Sequence, residues 1–159
     1  MAAILSAVLV LALVGVDQWT KYWALHALTS GRTVTVLPHV LQFRYLENTG
    51  MAFSMFSNRT WALSGLTMVI LVVLIVLLCR GTFSTRGMRI GALLILSGGF
   101  GNLIDRVFRH YVVDFIEFTF TNFAVFNFAD CCVTIGAVIL VIAIFVDFAH
   151  PSEKRTQER

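Results

Sequence analysis

From Thr60 to Cys79 the chain carries no charged side chain, and that run constrains the fold more than any other feature. A bilayer core of about 30 Å needs roughly 20 helical residues at about 1.5 Å each, so the segment reads as a transmembrane helix. The rest of the composition agrees. Of 159 residues 58% are hydrophobic and 13% charged, and mean hydropathy is +0.83, whereas soluble domains run nearer half apolar and a quarter charged. The net charge of +3 is too small and scattered to point to nucleic acid.

Three more runs suit the same solvent. Residues 2–16 form a short apolar run that continues through Trp19, Tyr22, Trp23 and Leu25, aromatics that fit an interfacial belt. No Lys or Arg precedes it and no small-residue cleavage site follows, so a retained helix is favoured over a cleaved signal. A third run starts at Ile90 but meets Asp105 after about 21–23 Å of helix, too short to cross. A fourth runs over 126–146 with Asn127 and Asp130 in its first turns. Both shortfalls put polar groups at the membrane's edge. The expected architecture is a membrane all-α fold in a single domain, 1–159, with helices over about 2–25, 60–79, 89–108 and 126–148.

Basic residues in short loops set orientation. Arg80, Arg86 and Arg89 follow the second span, and Lys154, Arg155 and Arg159 lie in the tail. Both termini and the 80–89 loop are therefore expected to be cytoplasmic, with the acidic clusters facing outward. In the outer segment 31–58, Leu41, Phe43 and Tyr45 alternate with Gln42 and Arg44, the period of a half-exposed strand. Asn48-Thr49-Gly50 supplies a turn, and residues 51–56 are expected to return as a second strand.

Ionisable groups in a span are costly and usually have a partner. Asp17 and Lys21 stand four apart, acid first, as a helical ion pair does; structural anchoring is the plain reading. Asn102 and Arg106 are likewise four apart, with Asp105 between, and Arg106 is expected to keep its acidic neighbours ionised. Asp114 lies between Val112-Val113 and Phe115-Ile116, an apolar setting for a loop carboxylate. Asp130 follows Phe126-Asn127-Phe128-Ala129, where Asn127 as N-cap makes it a helix-start acid. Two carboxylates brought together in a partly dry site share a proton. One then activates water while the other polarises a carbonyl.

Other chemistries fit less well. Cys79, Cys131 and Cys132 make no CxxC pair and read as small buried hydrophobes; the four histidines show no ligand spacing, so no metal or other cofactor is expected. Gly98-Gly99-Phe100-Gly101 lies mid-span, where small residues permit close helix packing. A small proton- or ion-coupled transporter is the alternative function, but it needs polar residues through the depth of the membrane, and the inner halves of the spans are nearly featureless.

Five blocks together resemble bacterial lipoprotein signal peptidase, the signal peptidase II family of aspartyl proteases. They are Asp17-Gln18-x-x-Lys21, Asn48-Thr49-Gly50-x-Ala52-Phe53-Ser54, Gly98-Gly99-x-Gly101-Asn102-Leu103-Ile104-Asp105-Arg106, Val112-Val113-Asp114-Phe115 and Phe126-Asn127-x-Ala129-Asp130. The resemblance implies an endopeptidase that removes signal peptides from diacylglyceryl-modified prolipoproteins just before the lipidated cysteine, at the outer face of the bacterial cytoplasmic membrane. It implies a catalytic pair at Asp114 and Asp130, and supporting or substrate-binding roles for Asp17, Lys21, Asn48, Gly50, Asn102, Asp105, Arg106 and Asn127. It further implies a small extracytoplasmic β-cradle between helices 1 and 2, contact with membrane lipid, and inhibition by globomycin-type compounds. Met51 stands where the family usually has Ala, which bears on pocket shape and inhibitor contact.

Overall fold

The computed structural model describes residues 2–29, 31–50 and 60–149. Four long helices carry the fold: α1 (Ala2–Ala27), α2 (Thr60–Cys79), α3 (Arg86–Phe108) and α4 (Phe128–Ala149). All four are long and apolar enough to cross a membrane. Their outward faces carry bare aliphatic side chains, among them Val69, Val72 and Val73 of α2 and Val138, Val141 and Ile142 of α4. So wide an exposed apolar surface requires lipid rather than water around it.

The central helix is α3, which packs against the other three and most closely against α4. It begins at Arg86, earlier than hydropathy suggested, because the Thr85 hydroxyl caps it by accepting from the Met88 N–H at 3.2 Å. Asp105 and Arg106 fall inside its last turn. The small residues of α3 allow the tight packing anticipated for them. A Cβ at Gly98 would land on the carbonyl of Ala129, and one at Gly101 on the carboxylate of Asp17. Leu71 of α2 is buried with Leu93, Leu96 and Leu103 of α3.

Three strands, β1 (Thr33–Leu37), β2 (Leu41–Asn48) and β3 (Val112–Phe118), form an antiparallel sheet in that order. The first two lie between α1 and α2 as expected, and β2 covers the alternating segment. Its second partner comes instead from the apolar stretch after α3, whose Val112-Val113 and Phe115-Ile116 are strand formers. The return strand expected at 51–56 lies outside the described residues, as do Met51 and the basic tail. Ala24 and Leu28 pack with Val113 and Phe115, and Trp23 meets Phe43 and Phe115 edge-on, so the sheet is fastened to the end of α1.

Two features of the sheet aim side chains. Between Phe43 and Leu46 the β2–β3 register slips by a bulge, after which Leu46 faces Asp114 and Asn48 faces Val112. Asn48 and Asp114 then share one face of the sheet. Beyond β3 the chain turns back and bridges it: Phe126 N–H donates to the Ile116 carbonyl at 3.0 Å, and Ile116 N–H donates to the Phe126 carbonyl at 2.8 Å. That return delivers the start of α4 to Asp114. The cysteines are free; Cys132 is buried and Cys131 half-buried, but Cys79 is exposed at the end of α2, contrary to its expected burial.

Candidate active site

Asp114 reaches the site on β3 and Asp130 in the first turn of α4. Both line one cleft of about 470 Å³, with Asn48, Asn102 and Arg106 beside them and Phe118, Phe123, Phe126, Val133 and Ile135 along its apolar flank. Asp114 is buried. Its Oδ1 accepts from Asn127 Nδ2 at 2.6 Å and its Oδ2 from Asn48 Nδ2 at 2.8 Å. Asp130 Oδ1 accepts from Asn102 Nδ2 at 2.8 Å, and its Oδ2 from the Asn127 backbone N–H at 3.1 Å.

Each of these three asparagines is pinned at its carbonyl end, which turns its amide toward a carboxylate. Asn48 Oδ1 accepts from the Gly50 N–H at 2.9 Å. Asn127 Oδ1 accepts from the Asp130 N–H at 3.0 Å, so Asn127 and Asp130 cap the start of α4 reciprocally. Asn102 Oδ1 accepts from Lys21 Nζ at 2.9 Å and from Asn127 Nδ2 at 3.1 Å. A carboxylate accepts and an amide NH₂ donates, so the orientation follows from the donors opposite.

Behind this layer lies a buried ionic one. Lys21 is fully buried and its ammonium also meets Asp17 Oδ2 at 2.9 Å and Asp105 Oδ2 at 3.1 Å. The structural pair expected of Asp17 and Lys21 is present, and it extends to α3 and α4. Asp17 Oδ1 accepts from the Ala129 N–H at 3.0 Å, a second cap on α4. Asp105 Oδ2 also accepts from the Val113 N–H at 3.1 Å. A buried charge survives only with such partners.

All ten residues singled out from sequence thus join one hydrogen-bonded cluster. Arg106 bonds the Gly50 carbonyl at 3.4 Å, and its charge also interacts with those of Asp130, Asp114 and Asp105. Besides Lys21, the cation paired with Asp105 is Arg109, at 2.5 Å. Burial pushes the Asp114 carboxyl up to about 7, and the neighbouring Asp130 charge adds to the rise, against the pull of the Asn48 and Asn127 amides.

The sequence profile described as "Signal peptidase (SPase) II" matches residues 9–146. The chain belongs to the signal peptidase II family. It is similar to the lipoprotein signal peptidase of Trichormus variabilis, 44% identical over 80% of this chain and 81% of that one. It is also similar to the lipoprotein signal peptidase of Streptococcus thermophilus, 35% identical over 87% of this chain and 90% of the relative. Two solved structures share the fold, described as bacterial membrane enzyme structures obtained by the in meso method at 2.3 and 1.9 Å. Their TM-scores are 0.86 and 0.79, each at 31% identity, covering 93% and 87% of this chain and 92% and 91% of theirs. As a signal peptidase II the chain is an aspartic peptidase with four membrane helices.

Two residues of this signal peptidase II cluster, Gln18 and Arg109, were given no site role from sequence. Gln18 Nε2 donates to Asp17 Oδ2 and the Gly101 carbonyl at 3.1 Å and to Asp105 Oδ1 at 3.3 Å. Arg109 Nη1 bonds Asp105 Oδ1 at 2.5 Å. Its spacing of four from Asp105 was the available signal, the same one that marked Asp17 and Lys21.

Proposed function

We propose that Asp114 and Asp130 are the catalytic dyad of a membrane-embedded endopeptidase that cuts diacylglyceryl-modified prolipoproteins just before the lipidated cysteine. The observation that carries this reading is their common cleft, behind which one residue, Asn127, donates its side-chain amide to Asp114 and its backbone N–H to Asp130, and from which an apolar wall leads off along α4. A substrate whose signal helix and acyl chains lie in lipid would meet that wall with its scissile bond near the interface.

Charge balance supports a shared proton. Four carboxylates, Asp17, Asp105, Asp114 and Asp130, face three cations, Lys21, Arg106 and Arg109, so one proton neutralises the cluster. The raised Asp114 carboxyl suits it to carry that proton, and Asp130, at a helix N-terminus, suits the ionised role. In this scheme Asp130 takes a proton from water as its oxygen attacks the scissile carbonyl carbon, while Asp114 hydrogen-bonds and protonates the carbonyl oxygen. On collapse the C–N bond breaks, the amine leaves with the proton from Asp130, and Asp114 regains its own. The products are a signal-peptide carboxyl group and the free α-amine of the modified cysteine.

The same reading sets the site at the outer face of the cytoplasmic membrane with both termini inside. Arg86 and Asp105 at opposite ends of α3 support it, since about 28 Å of helix separates the basic loop from the site. The test is incubation of the purified protein with a diacylated prolipoprotein, read by gel shift. Wild type should cleave, and Asp114→Asn and Asp130→Asn should not. Cleavage by either variant would remove the dyad.

A further inference from the structure

Resting on Asp114 as half of the dyad, we propose that Arg109 is a positioning residue for the reaction, clamping Asp105 so that Asp105 fixes the β3 backbone one residue before Asp114. Asp105 is fully buried and its two oxygens receive four donors. Oδ1 takes Arg109 Nη1 at 2.5 Å and Gln18 Nε2 at 3.3 Å; Oδ2 takes Lys21 Nζ at 3.1 Å and the Val113 N–H at 3.1 Å.

Arg109 is anchored to the same residue twice, because its backbone N–H also donates to the Asp105 carbonyl at 2.7 Å as the C-cap of α3. The chain then reverses at His110, whose φ is 66°, and enters β3 at Val112. Helix end, turn and strand start are thereby tied to one carboxylate.

The ionic count makes the clamp necessary. Asp17 and Asp105 are both buried and share the Lys21 ammonium. Arg109, with its side chain 27% exposed, supplies the second cation from the edge of the cluster. Without it, two buried carboxylates would divide one ammonium, and the rotamer of Asp105 that presents Oδ2 to Val113 would lose its strongest contact. Asp130 belongs to α4 and would stay in place, so a shift of β3 would change the geometry between the two acids. Small displacements of that kind cost rate rather than binding.

The test compares Arg109→Gln, Arg109→Lys and Arg109→Ala in the full-length purified enzyme acting on a diacylated prolipoprotein. We expect Arg109→Gln to lower kcat roughly tenfold with KM within about twofold. Arg109→Lys should restore most of the rate, and added ethylguanidinium should raise that of Arg109→Ala, since the arginine lies at an open edge. Arg44→Gln, which breaks the Arg44–Glu117 pair elsewhere on the sheet, should keep wild-type kcat. An unchanged kcat in Arg109→Gln would overturn the proposal, as would a loss that neither lysine nor ethylguanidinium repairs. Asp114→Asn, assayed alongside, separates the two readings. If it is inactive while Arg109→Gln is normal, only the clamp fails; if it is active, the dyad falls and the clamp with it.

Discussion

Lys21 grips the side-chain carbonyl of Asn102 at 2.9 Å and thereby turns the Asn102 amide onto Asp130. A lysine buried in α1 thus decides which end of an α3 asparagine faces the cleft. Replacing it with methionine leaves Asp17 and Asp105 buried without their shared cation. The expected loss is about 3–5 kcal/mol. Adding Asp17→Asn removes one of the stranded charges and should recover part of it. Thermal unfolding in detergent checks both; an undiminished midpoint in Lys21→Met would contradict the ionic reading.

Asn102→Leu keeps the volume but removes the donor to Asp130. A preorganised donor aimed at a reacting group is typically worth about 10²-fold in kcat. We expect a fall of that order with KM little changed, measured by steady-state cleavage. A rise in KM alone would make Asn102 a substrate contact instead.

The pH response follows from Asp114. Its folded value, about 7, lies above the ordinary 3.8, so protonation favours the fold: that stability is complete below about 4 and is lost as pH rises through about 7. A protonated Asp114 is also the form proposed to act, so cleavage should fall on the alkaline side through the same region. Asp130→Asn removes the neighbouring charge and should lower the Asp114 midpoint, as followed by carboxyl carbon NMR. An unmoved midpoint would mean that the two acids do not sense each other.

Close approach gives a fourth test. A methyl group at Gly101 would run into the Asp17 carboxylate, whereas one at Gly15 would meet nothing within 4 Å among the described residues. Gly101→Ala should destabilise by about 1–3 kcal/mol, and Gly15→Ala should not. Unfolding midpoints compare them.

The four helices were legible because apolar run length is a local property, as Thr60–Cys79 illustrates. The ion pair of Asp17 and Lys21 was legible for the same reason, since spacing on one helix fixes it. Strand β3 was not. Val112–Phe118 reads as an apolar stretch until its partner β2, distant in sequence, is set beside it. Nor does spacing bring Asp114 to Asp130; that takes the Ile116–Phe126 bridge, a long-range backbone contact. Arg109 meets Asp105 although Arg106 is its neighbour in sequence, because adjacent helical residues point apart and those four apart meet.

One oxygen of Asp130 is bonded to the Asn127 N–H and a backbone N–H of the same turn is bonded to the Asn127 side chain. If Asp130 is half of the dyad as proposed, a single helical turn joins catalysis to membrane insertion. If α4 frayed at its upper end, as in a bilayer too thin for it, the enzyme would go silent while its helices stayed packed, and thickening the lipid would bring it back.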